Sequence, residues 1–226
     1  VTYLSLVHGF YIAAISLFIG FLVFTVFYKE RRLERITSYR LSTRNIPRAT
    51  VLVSLIGLSN SLAFSVAYVP GVFLLARSLG LTGGDLFLMF LMSYIVSSMF
   101  AWRTGGWIKR HGKEAVLGAG ALGYGLFTMS YSLALEPALF FVSLMGVSVS
   151  FYVYRIGYKT ALLDSTDKKH RGEQVGFSKM LVSLGGIAGP LMGGLLIDGI
   201  SLQAAFLVAG MFGILGLGLS IWLKRT

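Results

Sequence analysis

Two cations interrupt an otherwise apolar and aromatic run at residues 137–163, Arg155 and Lys159. Tyr152, Arg155 and Lys159 follow one another at i, i+3 and i+7, so a helix would carry them on one face, with Tyr158 beside them. Such a face suits an anionic or aromatic solute, through charge-assisted hydrogen bonds and cation–π contacts. A structural alternative stands beside this. Lys159 could snorkel to a membrane surface, and Arg155 could pair with an acid on another chain. A second polar group lies in "SLIGLSNSLAFSVAYVPG", where Asn60, Ser61 and Tyr68 sit among apolar residues. A buried Asn60 needs a hydrogen-bond partner, which either a neighbouring helix or a ligand can supply.

Other chemistry has little to work with. Cysteine is absent, which excludes disulfides and thiolate metal sites. His8 lies near one end of an apolar run, and His111 and His170 lie in basic stretches where solvation is expected. No nucleophile–base pair, metal-ligand cluster or phosphate-binding loop is recognisable, so neither an enzyme nor a cofactor is expected. The acidic residues Asp85, Glu136, Asp164 and Asp198 all fall at the ends of apolar runs. Proton coupling through an intramembrane carboxylate therefore has no candidate in this sequence.

The elements that position these residues must be membrane helices. The 226 residues are 55% hydrophobic and only 13% charged, with a mean hydropathy of +0.76. Soluble domains carry about 25% charge. A helix crosses the hydrocarbon core in about 20 apolar residues, and seven runs qualify: 5–28, 49–78 (interrupted by Pro70-Gly71), 84–103, 115–134, 137–163, 174–197 and 202–223. In this frame Lys159 lies about 7 Å and Arg155 about 13 Å from the end of its span. A charge that deep costs about 2.5–3.5 kcal/mol on insertion scales and is a functional hypothesis by default.

The connections alternate in charge. Residues 29–48, 103–114 and 164–173, Lys179 and the C-terminus together hold 17 of the 20 Lys and Arg residues. The opposite connections, near 79–84, 135–136 and 198–201, are short and hold none, with Arg77 beside the first. The positive-inside rule makes the basic side cytoplasmic. Seven spans then run from an outside N-terminus to a cytoplasmic C-terminus. The net charge of +11 is accounted for by loops that face anionic lipid, and no nucleic-acid partner is expected.

Residues 183–196, "SLGGIAGPLMGGLL", hold five glycines and a proline. In a bilayer the backbone must bond to itself, so the helix persists. Its small residues then allow close approach of a neighbouring helix. Gly185, Gly189 and Gly193 form one i, i+4 row, and Gly186, Pro190 and Gly194 the next. Pro190 cannot donate to the Gly186 carbonyl, and a bend is expected there.

This pattern, Gly185-x-x-x-Gly189-Pro190-x-x-Gly193-Gly194, resembles the glycine-proline signature of the major facilitator superfamily. Residues 105–114, "GGWIKRHGKE", are similar to that family's cytoplasmic loop motif at Gly105, Arg110, Gly112 and Lys113. They depart from it at Lys109, where the family has an acid, and at Glu114, where a base is usual. Asp164, then Arg171-Gly172 and Gly176, resembles the family's approach to the glycine-proline helix.

The resemblance covers residues 49–225 and implies an all-α polytopic membrane protein. It divides into a leading helix at 1–28, a basic cytoplasmic linker at 29–48 and one six-helix half at 49–226. The C-terminal half of a two-half transporter is the expectation, with an N-terminal half plus an extra helix as the alternative. The implied function is secondary transport of a small molecule by alternating access, in a prokaryotic inner membrane, with no cofactor. Drug or metabolite efflux leads, and uptake of a sugar or metabolite is the alternative. Implied partners are the lipid bilayer, the substrate, and a missing half or a second copy of the chain. Val1, where a methionine would ordinarily open a reading frame, fits either a partial chain or an alternative start codon. A non-transporting membrane subunit and a seven-helix receptor or retinal protein are rivals. The last lacks the lysine it would need within 202–223.

Overall fold

The computed structural model describes residues 46–68 and 71–225, with Phe18 as a lone described residue before them. The rest of the leading span 5–28, with His8, most of the linker 29–48, and Pro70 fall outside the described residues. Apart from Phe18, every described residue belongs to one compact unit, Ser42–Thr226. All its regular structure is helical: α1 Arg48–Ala67, α2 Gly71–Ser78, α3 Gly83–His111, α4 Lys113–Ser130, α5 Pro137–Ser165, α6 Arg171–Gly199 and α7 Leu202–Leu223. A single 3-10 turn, Tyr131–Leu133, follows α4.

Local chemistry sets several of the helix starts. Thr82 and Asp85 form a reciprocal capping box at α3: the Thr82 N–H donates to the Asp85 carboxylate at 2.8 Å, and the Asp85 N–H donates to the Thr82 hydroxyl at 3.3 Å. Pro137 opens α5 in the first turn, where a missing N–H is harmless. The Ser201 hydroxyl caps α7 by accepting from the Ala204 N–H at 3.1 Å.

The stretch 103–114 is not the loop that the sequence implied. α3 continues through it to His111, and Gly112 alone turns the chain into α4, at φ +88°. At 1.5 Å per residue its 29 residues reach about 44 Å, well past a hydrocarbon core of about 30 Å. The helix therefore projects through the headgroup layer before it ends.

Five helical segments among the described residues are long and apolar enough to cross a membrane: Arg48–Ser78, α3, α5, α6 and α7. The expected span 115–134 is realised as α4 and its 3-10 turn, and it falls outside that set. Its 18 residues open on the charged pair Lys113-Glu114 and include four glycines, which lowers its hydropathy, and it packs chiefly against α5 and α7. Its glycines serve close approach: a methyl on Gly125 would lie 2.7 Å from the Gly210 carbonyl oxygen of α7.

Two apolar clusters fill the bundle. One gathers Ala67, Tyr131, Phe140 and Phe206 around the 3-10 turn, and the other joins Val53, Ile56, Leu117 and Tyr154. α1 packs against α6 and α7, and α3 packs mainly against α5. Burial is uneven. It covers 61% of the most apolar stretch of Arg48–Ser78 but only 11% of that of α3 and 17% of that of α6. Those two helices present most of their apolar surface outward.

Candidate functional site

The expected glycine strip is half used. Gly185 and Gly189 are buried and face α1. A methyl on Gly185 would stand 2.9 Å from the Ser61 Cβ and 3.0 Å from the Leu58 carbonyl oxygen, and one on Gly189 would collide with the Ser65 Cβ. Gly193 continues the buried row. The Ser61 hydroxyl donates to the Val182 carbonyl at 2.7 Å and ties the same two helices. The second row takes no such part: Gly186 is exposed, and nothing lies within 4 Å of a methyl placed on Gly194. Pro190 sits inside α6, half-buried, and the helix runs on through it.

This α1–α6 seam forms one wall of a cavity of about 460 Å³. Asn60, Ser61 and Phe64 come from α1, and Val175, Lys179 and Val182 from α6. Arg155, Tyr158 and Lys159 come from α5. A smaller cavity of about 160 Å³ adjoins it and is lined by Tyr68, Tyr94, Tyr124 and Tyr152. Phe64, Phe151 and Arg155 line both. The five residues singled out from sequence for a cavity therefore surround two adjoining spaces. Asn60 and Tyr158 line the larger, Tyr68 and Tyr152 the smaller, and Arg155 stands between them.

Aromatic rings form much of the shared wall. Phe64 stacks on Tyr68 at 4.8 Å and on Phe151 at 5.7 Å, and Phe151 meets Tyr124 at 6.0 Å. Tyr158 is more constrained than its sequence position implied. Its ring stacks on Tyr154 at 5.7 Å, and its hydroxyl shares a 2.6 Å hydrogen bond with Ser178 of α6. It holds α5 against α6 as well as lining the space. Gly57 makes room for it, since a methyl there would lie 2.8 Å from the Tyr158 hydroxyl.

Two polar features remain open. Asn60 is buried, and its side-chain N–H₂ has no hydrogen-bond partner among the described residues. An unmade bond of this kind costs about 1–3 kcal/mol. Arg155, Lys159 and Lys179 are exposed to the cavity side, and none takes part in the three salt bridges found among the described residues. Lys179 was not singled out from the sequence as a cavity residue. It is the one charge within 174–197, and that isolation could have marked it.

Of the loop-motif residues, Gly105 and Arg110 lie on the exposed end of α3, and Gly112 makes the turn. Lys113 bonds the Asp164 carboxylate at 2.9 Å and so links the start of α4 to the end of α5. Both groups are partly exposed, and such pairs contribute at most about 1 kcal/mol.

These features sit in a recognisable frame. The family model of the Major Facilitator Superfamily matches residues 53–226. The chain belongs to the Major Facilitator Superfamily. It is an all-helical membrane protein of that family, in agreement with the resemblance carried by the glycine-proline row. It is also 28% identical over 148 residues to Multidrug resistance protein 2 of Bacillus subtilis (strain 168). That match takes in 65% of this chain and 36% of the relative, so the chain spans about a third of the relative's length there. No solved structure matches the chain.

Proposed function

We propose that the chain is one half of a secondary transporter that exports amphipathic aromatic solutes carrying negative charge. The observation that carries this is Arg155, which lies on the wall common to both cavities, among aromatic rings and without an acidic partner among the described residues. Lys159 and Lys179 add positive charge at the wider cavity. The Asn60 amide offers a donor that folding leaves unused. A planar aromatic anion would meet ring faces on one side and charge-assisted donors on the other. The likeness to a multidrug resistance protein supports export over uptake.

In this scheme residues 49–226 form the C-terminal six-helix half, with the basic end of the bundle cytoplasmic. A second half, separate or supplied by another copy, completes the cavity. Rocking of the two halves then exposes the site to each side in turn. The α1–α6 seam holds the wall of this half rigid while it moves.

Equilibrium binding to the purified chain in nonionic detergent tests the assignment. Fluorescence anisotropy would follow fluorescein, an aromatic anion, and ethidium, an aromatic cation. Fluorescein is expected to bind more tightly, and Arg155→Gln to weaken it about tenfold, equivalent to about 1.4 kcal/mol, with ethidium unaffected. Equal affinity for both dyes, or unchanged fluorescein binding in the variant, would assign Arg155 instead to an ion pair with the other half.

A further inference from the structure

A third cavity lies away from the site just described, toward the basic end of the bundle. It measures about 460 Å³ and is bounded by Phe100 and Trp107 of α3, Ala115 and Ala119 of α4, and Val149 and Val153 of α5. α4 lines it with Ala115, Val116, Ala119 and Gly120, short side chains that leave the space open. At one mouth stands His111, and Trp107 also lines an adjoining hollow of about 570 Å³ with Trp102, Arg103 and Arg110. The indole of Trp107 is braced edge-on by Phe100, with ring centroids 6.2 Å apart. Trp102 is 90% exposed, a large apolar surface that a bilayer interface would cover.

The placement matches the boundary between hydrocarbon and headgroups. Along α3, the apolar groove runs from Phe100 to His111, a rise of about 17 Å at 1.5 Å per residue. Its Phe100 end lies in the hydrocarbon, and its His111 end lies beyond Arg103, where α3 has left a core about 30 Å thick. The charges are concentrated at the end of α3: Arg103 and Arg110 lie one above the other at i and i+7, and neither takes part in a salt bridge among the described residues. The nearest acid in sequence, Glu114, is held by Lys113 at 3.8 Å. The carbonyl end of the α3 dipole is already met by Lys109, Arg110 and His111.

We propose that this groove is a binding site for one anionic glycerophospholipid. An acyl chain lies in the apolar groove over Ala119, Val153 and Phe100, and the phosphate sits beside Arg110 and within reach of Arg103, with the Trp107 indole at the glycerol level. Basic pockets between membrane helices recognise anionic headgroups in this way. The site is separate from the Arg155 cavity and would bind lipid whatever solute the protein carries.

Native mass spectrometry of the full chain in nonionic detergent tests it, with phosphatidylglycerol and phosphatidylcholine of identical acyl chains added in equal amounts. Phosphatidylglycerol is expected to be retained preferentially. Each arginine contributes about fivefold, the ratio corresponding to about 1 kcal/mol per basic residue at a membrane surface. Replacing both, Arg103→Gln with Arg110→Gln, should therefore remove roughly a 30-fold preference. Ala119→Phe fills the groove without touching a charge and should lower retention of both lipids. Free glycerol phosphate should not compete. Equal retention of the two lipids, an undiminished preference in the double variant, full retention in Ala119→Phe, or competition by glycerol phosphate would each overturn the assignment. All three positions are exposed, and the lipid preference of the unaltered chain is decisive even if one variant folds poorly.

Discussion

Substituting Gly189 by alanine probes the seam that supports the cavity wall. A methyl added there collides with the Ser65 Cβ and stands 3.1 Å from both the Ser65 carbonyl carbon and the Val66 nitrogen. Ordinary carbon contacts lie at about 3.5–4.0 Å, so α6 must withdraw from the α1 backbone by at least about half an ångström. Overpacking of this kind costs about 1–3 kcal/mol. Gly186 is the internal control. A methyl there would lie 3.8 Å from the Ser61 hydroxyl oxygen, an ordinary contact. Gly186→Ala should be neutral, or stabilising by up to about 1 kcal/mol through helix propensity. Thermal unfolding in detergent, followed by tryptophan fluorescence, separates the two. For a chain of 150–250 residues each kcal/mol moves Tm by about 2–4 °C, so Gly189→Ala should melt several degrees lower and Gly186→Ala no lower. Equal melting of the two variants would refute the view that only one glycine row forms the seam.

Two further outcomes follow from single side chains. Asn60→Leu removes a buried amide whose N–H₂ lacks a partner; thermal stability should hold or rise by about 1 kcal/mol, while fluorescein affinity falls, both read on the same preparation. Gly112→Ala places a side chain at φ +88°, ψ 155°, a region essentially reserved for glycine, which should lower stability by about 1–3 kcal/mol, measured as a drop in Tm without change in fluorescein binding.

Much of the helical frame was legible because hydropathy marks membrane spans directly. The run 202–223 coincides with α7, and 137–163 with the body of α5. The end of α3 was not legible for a physical reason. "RTGGWIKRH" has the charge and glycine content of a loop, yet a helix that leaves the hydrocarbon can carry both through the headgroup layer. The candidate cavity was half legible. Arg155 and Asn60 stood out because polar groups in apolar runs are conspicuous, and both line the larger space. Tyr154, Phe64 and Phe151 did not, since an aromatic residue in a span has no local sign of what it faces. The convergence of α1, α5 and α6 on one cavity is a tertiary fact, as is the choice between the two glycine rows. Gly185 and Gly186 differ only in which side of α6 meets α1.

The absence of cysteine offers a direct test of the charge in the cavity. Leu163 lines it and is 49% exposed, so Leu163→Cys introduces a single thiol at its edge. Its modification rates by an anionic and a cationic methanethiosulfonate would be compared in the purified chain. The anionic reagent should react faster relative to a free thiol, fluorescein should protect, and Arg155→Gln should reduce the bias. Faster reaction with the cationic reagent, or a bias indifferent to Arg155 and fluorescein, would contradict an anion-accepting cavity.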